Sequence, residues 1–89
     1  MGAKDRVLEA LGGEDDLVAV VVSWRTAREG AHRFARVLVR VQGGGREHPE
    51  VYELRVNAHG FVEELPAALS SRERGAVIGA VRRVHAGRS

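Results

Sequence analysis

Between Arg33 and Gln42, every second residue is apolar and either small or β-branched: Ala35, Val37, Val39 and Val41. Arg36, Arg40 and Gln42 fall between them, with Phe34 and Leu38 sharing that alternate set. Successive side chains of a strand point to opposite faces, so the spacing predicts a strand with one face in a core and the other half covered. A strand of this kind is not stable alone. It needs hydrogen-bonded neighbours and a second layer over its apolar face, and that requirement constrains everything else in the chain.

The neighbours are legible on either side. Leu17–Thr26 opens Leu-Val-Ala-Val-Val-Val-Ser-Trp, β-branched and nearly continuous in apolar residues, which predicts a first strand. Strict alternation places Val18, Val20, Val22 and Trp24 on one of its faces and Leu17, Ala19, Val21 and Ser23 on the other. A strand apolar on both faces is expected to be central in its sheet or covered twice. The segment Ala27–His32, with Gly30, is the connecting loop. Gly43-Gly44-Gly45 and His48-Pro49 then break the pattern. Glu50–Asn57 alternates again, with Tyr52, Leu54 and Val56 against Glu53, Arg55 and Asn57. Asn57-Ala58-His59-Gly60 reads as a hairpin turn, and Phe61–Leu65 as a fourth strand stopped by Pro66.

Two helical patterns flank the strands. Ala3, Val7 and Leu11, with Leu8 beside them, form one face of a short helix over 3–11 that ends at Gly12-Gly13. Ser70-x-x-Glu73 is a capping box opening a helix over 71–85, with Val77, Val81 and Val84 as its buried stripe and Ile78 alongside. The expected architecture is one α+β domain spanning residues 1–89, in the order α-β-β-β-β-α. It is a four-stranded antiparallel sheet with the helices packed on one face.

Composition supports a single soluble domain: 89 residues, 44% hydrophobic and 29% charged. The longest apolar run of the first strand, Leu17–Val22, is far short of the ~18 residues that span a bilayer, so no membrane partner is expected. Met1–Arg6 has no apolar signal core, and there are no cysteines to build a disulfide framework, so a cytoplasmic location is expected. The net charge of +2 is too small to imply a polyanion partner by itself. Its distribution is uneven: residues 25–46 carry six arginines against one glutamate, and residues 47–65 carry five glutamates against one arginine. Such blocks either neutralise one another in space or form separate faces.

Reactive constellations are scarce. The spacings of His32, His48, His59 and His85 match no local metal motif, although an up-down meander brings His32 and His59 to one end of the sheet. His85 joins them if the last helix runs back along the fourth strand. None of the serines lies in a Gly-x-Ser-x-Gly elbow, and Ser70 is explained as a cap. Glu63 and Glu64 are adjacent on a strand and face opposite ways. The glycine triplet lacks the Gly-Lys-Ser/Thr ending of a phosphate loop. The chain is therefore expected not to be an enzyme, with no catalytic or metal residues and no cofactor.

Two features point to a partner instead. Gly75 and Gly79 lie opposite the valine stripe of the last helix, flanked by Arg72, Arg82 and Arg83, where another backbone can approach. The first strand would be an edge in a plain meander, yet it lacks the charges and prolines that blunt edges. These features predict a non-catalytic interaction or regulatory module that binds a protein partner and forms a homodimer. Its contacts would be Val20, Val22, Trp24, Arg72, Gly75, Gly79, Arg82 and Arg83. The alternative is a nucleic-acid-binding domain using the basic hairpin 25–46 and the last helix, through Arg28, His32, Arg33, Arg36, Arg40, Arg72, Arg74 and Arg83. A third class is a small ligand carrier or enzyme using the concave face of the sheet.

Parts of the chain resemble a double-stranded-RNA-binding domain: a short first helix, the Gly30-Ala31-His32 loop before an alternating strand, and a last helix opening Ser70-Ser71-Arg72-Glu73-Arg74. The resemblance implies backbone contacts to RNA from His32, Arg72 and Arg74. It covers about half the chain and departs in strand number, since that family has three strands, so the family is not assigned.

Overall fold

The computed structural model describes residues 16–88. The helix expected over 3–11 lies outside them. Four strands and one helix follow in order: β1 (Val18–Glu29), β2 (His32–Gln42), β3 (Glu50–Asn57), β4 (Val62–Glu64) and α1 (Ser71–Arg88). The sheet is an antiparallel meander in the order β1-β2-β3-β4, which makes β1 an edge. This is an α+β arrangement with α1 packed on one face of the sheet.

Cross-strand partners share a face, so the register defines the core. Val21 pairs with Val39 and Val39 with Tyr52; Val37 pairs with Leu54, and Ala35 with Val56. Val37, Val39, Val41 and Val56 are fully buried, and Val77 and Val81 of α1 close over them. The predicted alternation of β2 and β3 is therefore the core face itself. On α1, Val77, Ala80 and Val81 are buried and Val84 half-buried, while Ile78 is exposed. At 100° per residue Ile78 falls outside the arc that meets the sheet, which corrects its placement beside the stripe.

Two further expectations change. Ala27–His32 is not a loop: β1 and β2 run on to a two-residue turn at Gly30-Ala31. Gly30, at φ 61°, occupies the first central position, where a type II′ hairpin turn requires glycine. The first strand also departs from strict alternation. A bulge between Val21 and Ser23 leaves Val22 as the extra residue, so Ser23 pairs with Leu38 and Trp24 with Val37. Trp24 is thereby turned to the core face, away from Val18 and Val20, correcting the expectation of a shared face.

The ends of α1 are fixed by side chains. Glu73 Oε1 accepts the Ser70 N–H at 2.7 Å, and Ser70 Oγ accepts the Glu73 N–H at 3.2 Å, completing the predicted capping box. Arg46, in the β2–β3 loop, reaches Glu73 at 3.1 Å and Glu50 at 3.3 Å and donates to the Tyr52 hydroxyl at 3.1 Å. This ties the start of the helix to the loop at one end of the sheet. At the other end, Arg82 donates to the His59 carbonyl at 3.0 Å, and His85 Nε2 lies 3.3 Å from the Ala58 carbonyl.

The Ser70 N–H, reinforced by Arg46, holds the Glu73 carboxyl below the ordinary carboxylate range and outweighs the opposing effect of desolvation. A lowered pKa contributes stability that is present above the unfolded value and lost as pH falls through the folded one. Glu73→Gln keeps the cap but not the charge. Wild type should therefore be the more stable at neutral pH, with the difference vanishing on acidification below about pH 4. Urea melts of both proteins from neutral to acidic pH measure this. A difference independent of pH would remove Glu73 ionisation as its source.

Candidate functional site

Among the described residues, nothing covers the side of the sheet opposite α1, and its apolar residues cluster at one edge. Val18, Val20 and Val22 of β1 are 44%, 38% and 46% exposed, and Val51 of β3 is 55% exposed. Val20 and Val51 stand on either side of Arg40 in the same cross-strand row. The bulge at Val22 interrupts the ladder within this patch. Of β1's outward residues, those before the bulge are uncharged. This is an unblunted edge carrying a valine ridge.

Beyond the patch the same face becomes ionic. Arg25, Arg36 and Arg55 form one row across β1, β2 and β3. Two of the three have acidic partners: Arg36 lies 3.9 Å from Glu53, and Arg55 lies 3.3 Å from Glu29 and 3.0 Å from Glu63. The basic and acidic sequence blocks thus partly cancel because β2 and β3 are adjacent. Phe34 belongs to this outer face yet is only 7% exposed, because the Arg55 guanidinium covers its ring at 3.7 Å and Arg36 flanks it at 5.7 Å. Sequence reasoning missed Arg55. Its signal is a cross-strand neighbour relation that appears only once β2 and β3 are in register.

The predicted partner residues do not form one surface. Val20 and Val22 lie on the open sheet face, whereas Trp24 lies on the helix side, with its ring centroid 6.4 Å from that of His85 and the Arg88 guanidinium 5.1 Å away. Arg72, Gly75 and Arg83 are exposed on the outer side of α1, and Gly79 is half-buried beside Arg83. Arg82 is engaged with the β3–β4 turn and with the Phe61 ring at 4.5 Å. The alternative nucleic-acid contacts are equally divided. Arg36 and Arg40 face outward on the sheet, while Arg28 and Arg33, with His32 beside the turn, lie at the β1–β2 hairpin end. Arg72 and Arg74 sit at the start of α1, one helix length away, or about 27 Å for 18 residues.

The histidines divide in the same way. His32 and His59 line one shallow pocket near Arg55, and His85 packs on the far side of the turn that holds His59. The meander does bring these three to one end. Among the described residues, no three His, Asp or Glu side chains are grouped to hold a metal ion.

The glycine pair of α1 offers a direct test of its outer face. A Cβ at Gly75 meets nothing within 4 Å, and one at Gly79 meets only Arg83 Nη1 at 3.6 Å. Gly75→Ala and Gly79→Ala should each raise stability by about 1 kcal/mol, through helix propensity alone. Thermal melts measure the gain. If either substitution destabilises the domain, the space outside that helix face is already filled.

No family model matches the chain, and no curated protein or solved structure does.

Proposed function

We propose that this domain is a non-catalytic interaction module that self-associates through the β1 edge and the valine ridge beside it. One observation carries the reading: an edge strand of 12 residues whose exposed side chains before the bulge are valines rather than charges. Antiparallel pairing of two β1 strands about a two-fold axis would satisfy the free backbone groups of both edges and bury both ridges, the self-complementary arrangement of an isologous dimer. The size of the chain favours the same outcome, since a domain of fewer than 100 residues buries a modest fraction of its surface alone. A protein partner with a free strand of its own would use the same edge in the same way.

Sedimentation equilibrium at micromolar concentration tests the proposal. The wild-type chain should be dimeric. Val20→Asp should be monomeric with its fold intact, because the new carboxylate faces Arg40 in the folded sheet but is driven into an apolar contact in the dimer. A wild-type chain that stays monomeric throughout that range would remove self-association from the reading.

A further inference from the structure

A second surface, independent of the β1 edge, arises because the β1–β2 hairpin outruns the helix. The last described turn of α1 lies over Trp24, where Arg88 meets its ring, but β1 continues five residues further to Glu29, about 17 Å of strand. Among the described residues, the helix-facing side of this extension therefore has no layer over it. It carries Thr26 paired with Ala35, then Arg28 paired with Arg33, on the same side as Trp24 paired with Val37. Trp24, Thr26, Arg28, Arg33 and Ala35, with His85 and Arg88, line a cleft of about 580 Å³, within the usual range for a small-molecule site.

Among the described residues, nothing balances the charge in this cleft. Arg28 and Arg33 stand directly opposite one another, an arrangement that costs stability between like charges. Among the described residues, no carboxylate lies within ion-pair distance of Arg28, Arg33 or Arg88. The nearest acid in sequence, Glu29, points to the opposite face and is engaged by Arg55. The floor is aromatic: Trp24, with Ala27, Ala35 and Ala58 around it. The cleft thus offers guanidinium forks and an indole among its lining residues.

We infer that this cleft binds a nucleobase–phosphate unit, with the phosphate held between Arg28 and Arg33 and the base stacked on Trp24. Guanidinium forks bind phosphate oxygens in a bidentate manner, and the facing pair supplies two such forks. The Arg88 guanidinium now lies 5.1 Å from the indole, an exposed cation–π contact that is weak in water. A base stacked on the indole makes the stronger contact, so it displaces Arg88 and leaves it to join the phosphate as a third donor. The unit could come as a free mononucleotide or as one residue of a single-stranded nucleic acid.

Trp24 is the only tryptophan in the chain, so its fluorescence reports on the cleft directly. The full chain is titrated at low salt with adenosine monophosphate, with a six-residue oligoadenylate and with adenosine. The nucleotide and the oligomer should quench Trp24 saturably, and adenosine at least tenfold more weakly. Arg28→Gln combined with Arg33→Gln should weaken nucleotide binding more than tenfold. Its melting temperature should be unchanged or raised, because the like-charge pair is relieved. Equal affinity for monophosphate and oligomer assigns the free nucleotide as the ligand; a gain for the oligomer that falls steeply with salt assigns the strand. No saturable quenching up to about 5 mM, weaker than any useful nucleotide site, would overturn the inference. So would adenosine binding as well as its phosphate, or binding unaffected by the double substitution.

Discussion

Replacing Val39 with Asp should leave the chain without a cooperative thermal transition. Val39 is fully buried, flanked across the sheet by Val21 on β1 and Tyr52 on β3, and it belongs to the core that Val77 and Val81 of α1 cover. Among the described residues, the core includes no buried polar or charged residue that could pair with a carboxylate there. Burying an ionised group without a partner costs several kcal/mol even after relaxation, against a total stability of about 5–15 kcal/mol for a native domain. The same substitution at Val20 changes little, because that side chain is exposed on the opposite face and stands beside Arg40. Circular dichroism melts of the two variants separate the faces of the sheet. A Val39→Asp protein melting within a few degrees of wild type would place Val39 outside the core.

Gly60→Ala should cost about 2–3 kcal/mol, a fall of roughly 10–20 °C in melting temperature for a domain of this size. Two effects combine. Gly60 has φ 89°, a conformation that strains any residue with a Cβ. A Cβ there would also lie 2.6 Å from the His85 ring and 2.9 Å from Arg82 Nη1, the two side chains that dock α1 on the β3–β4 turn. The turn cannot easily yield, since Asn57 Oδ1 accepts the His59 and Phe61 N–H groups at 2.9 and 3.1 Å. In a His85→Ala background the contact with the His85 ring is relieved while the Arg82 contact and the backbone part remain, so the penalty should shrink by about 1 kcal/mol. Equal penalties in the two backgrounds would show that the turn and the helix are not in contact.

The sequence-level reading succeeded where a single local rule governs the outcome. The period-two pattern of Ala35, Val37, Val39 and Val41 coincides with the buried face of β2, and Tyr52, Leu54 and Val56 coincide with that of β3. The Ser70–Glu73 capping box starts α1 where it was expected, and Gly60 closes the predicted turn. It failed where a residue's environment depends on partners distant in the chain. Trp24 lies on the face opposite to the one alternation predicts, because a bulge adds one residue to β1 without any glycine or proline to announce it. Phe34 is buried on an otherwise open face because Arg55, 21 positions away, is brought over its ring.

Hydrophobic alternation, turn residues and capping chemistry act over a few neighbouring residues, so the amino-acid sequence by itself determined the four strand segments, the final helix and the alternating residues of β2 and β3 that face the core. Pairing register, the Val22 bulge and the length of the hairpin relative to the helix are settled only when separate segments compete for the same hydrogen bonds and the same apolar surface. The tertiary structure therefore decided what this protein can present to others. It left the β1 edge with its exposed valines, turned Trp24 toward the helix, and set Arg28 against Arg33 beyond the helix end.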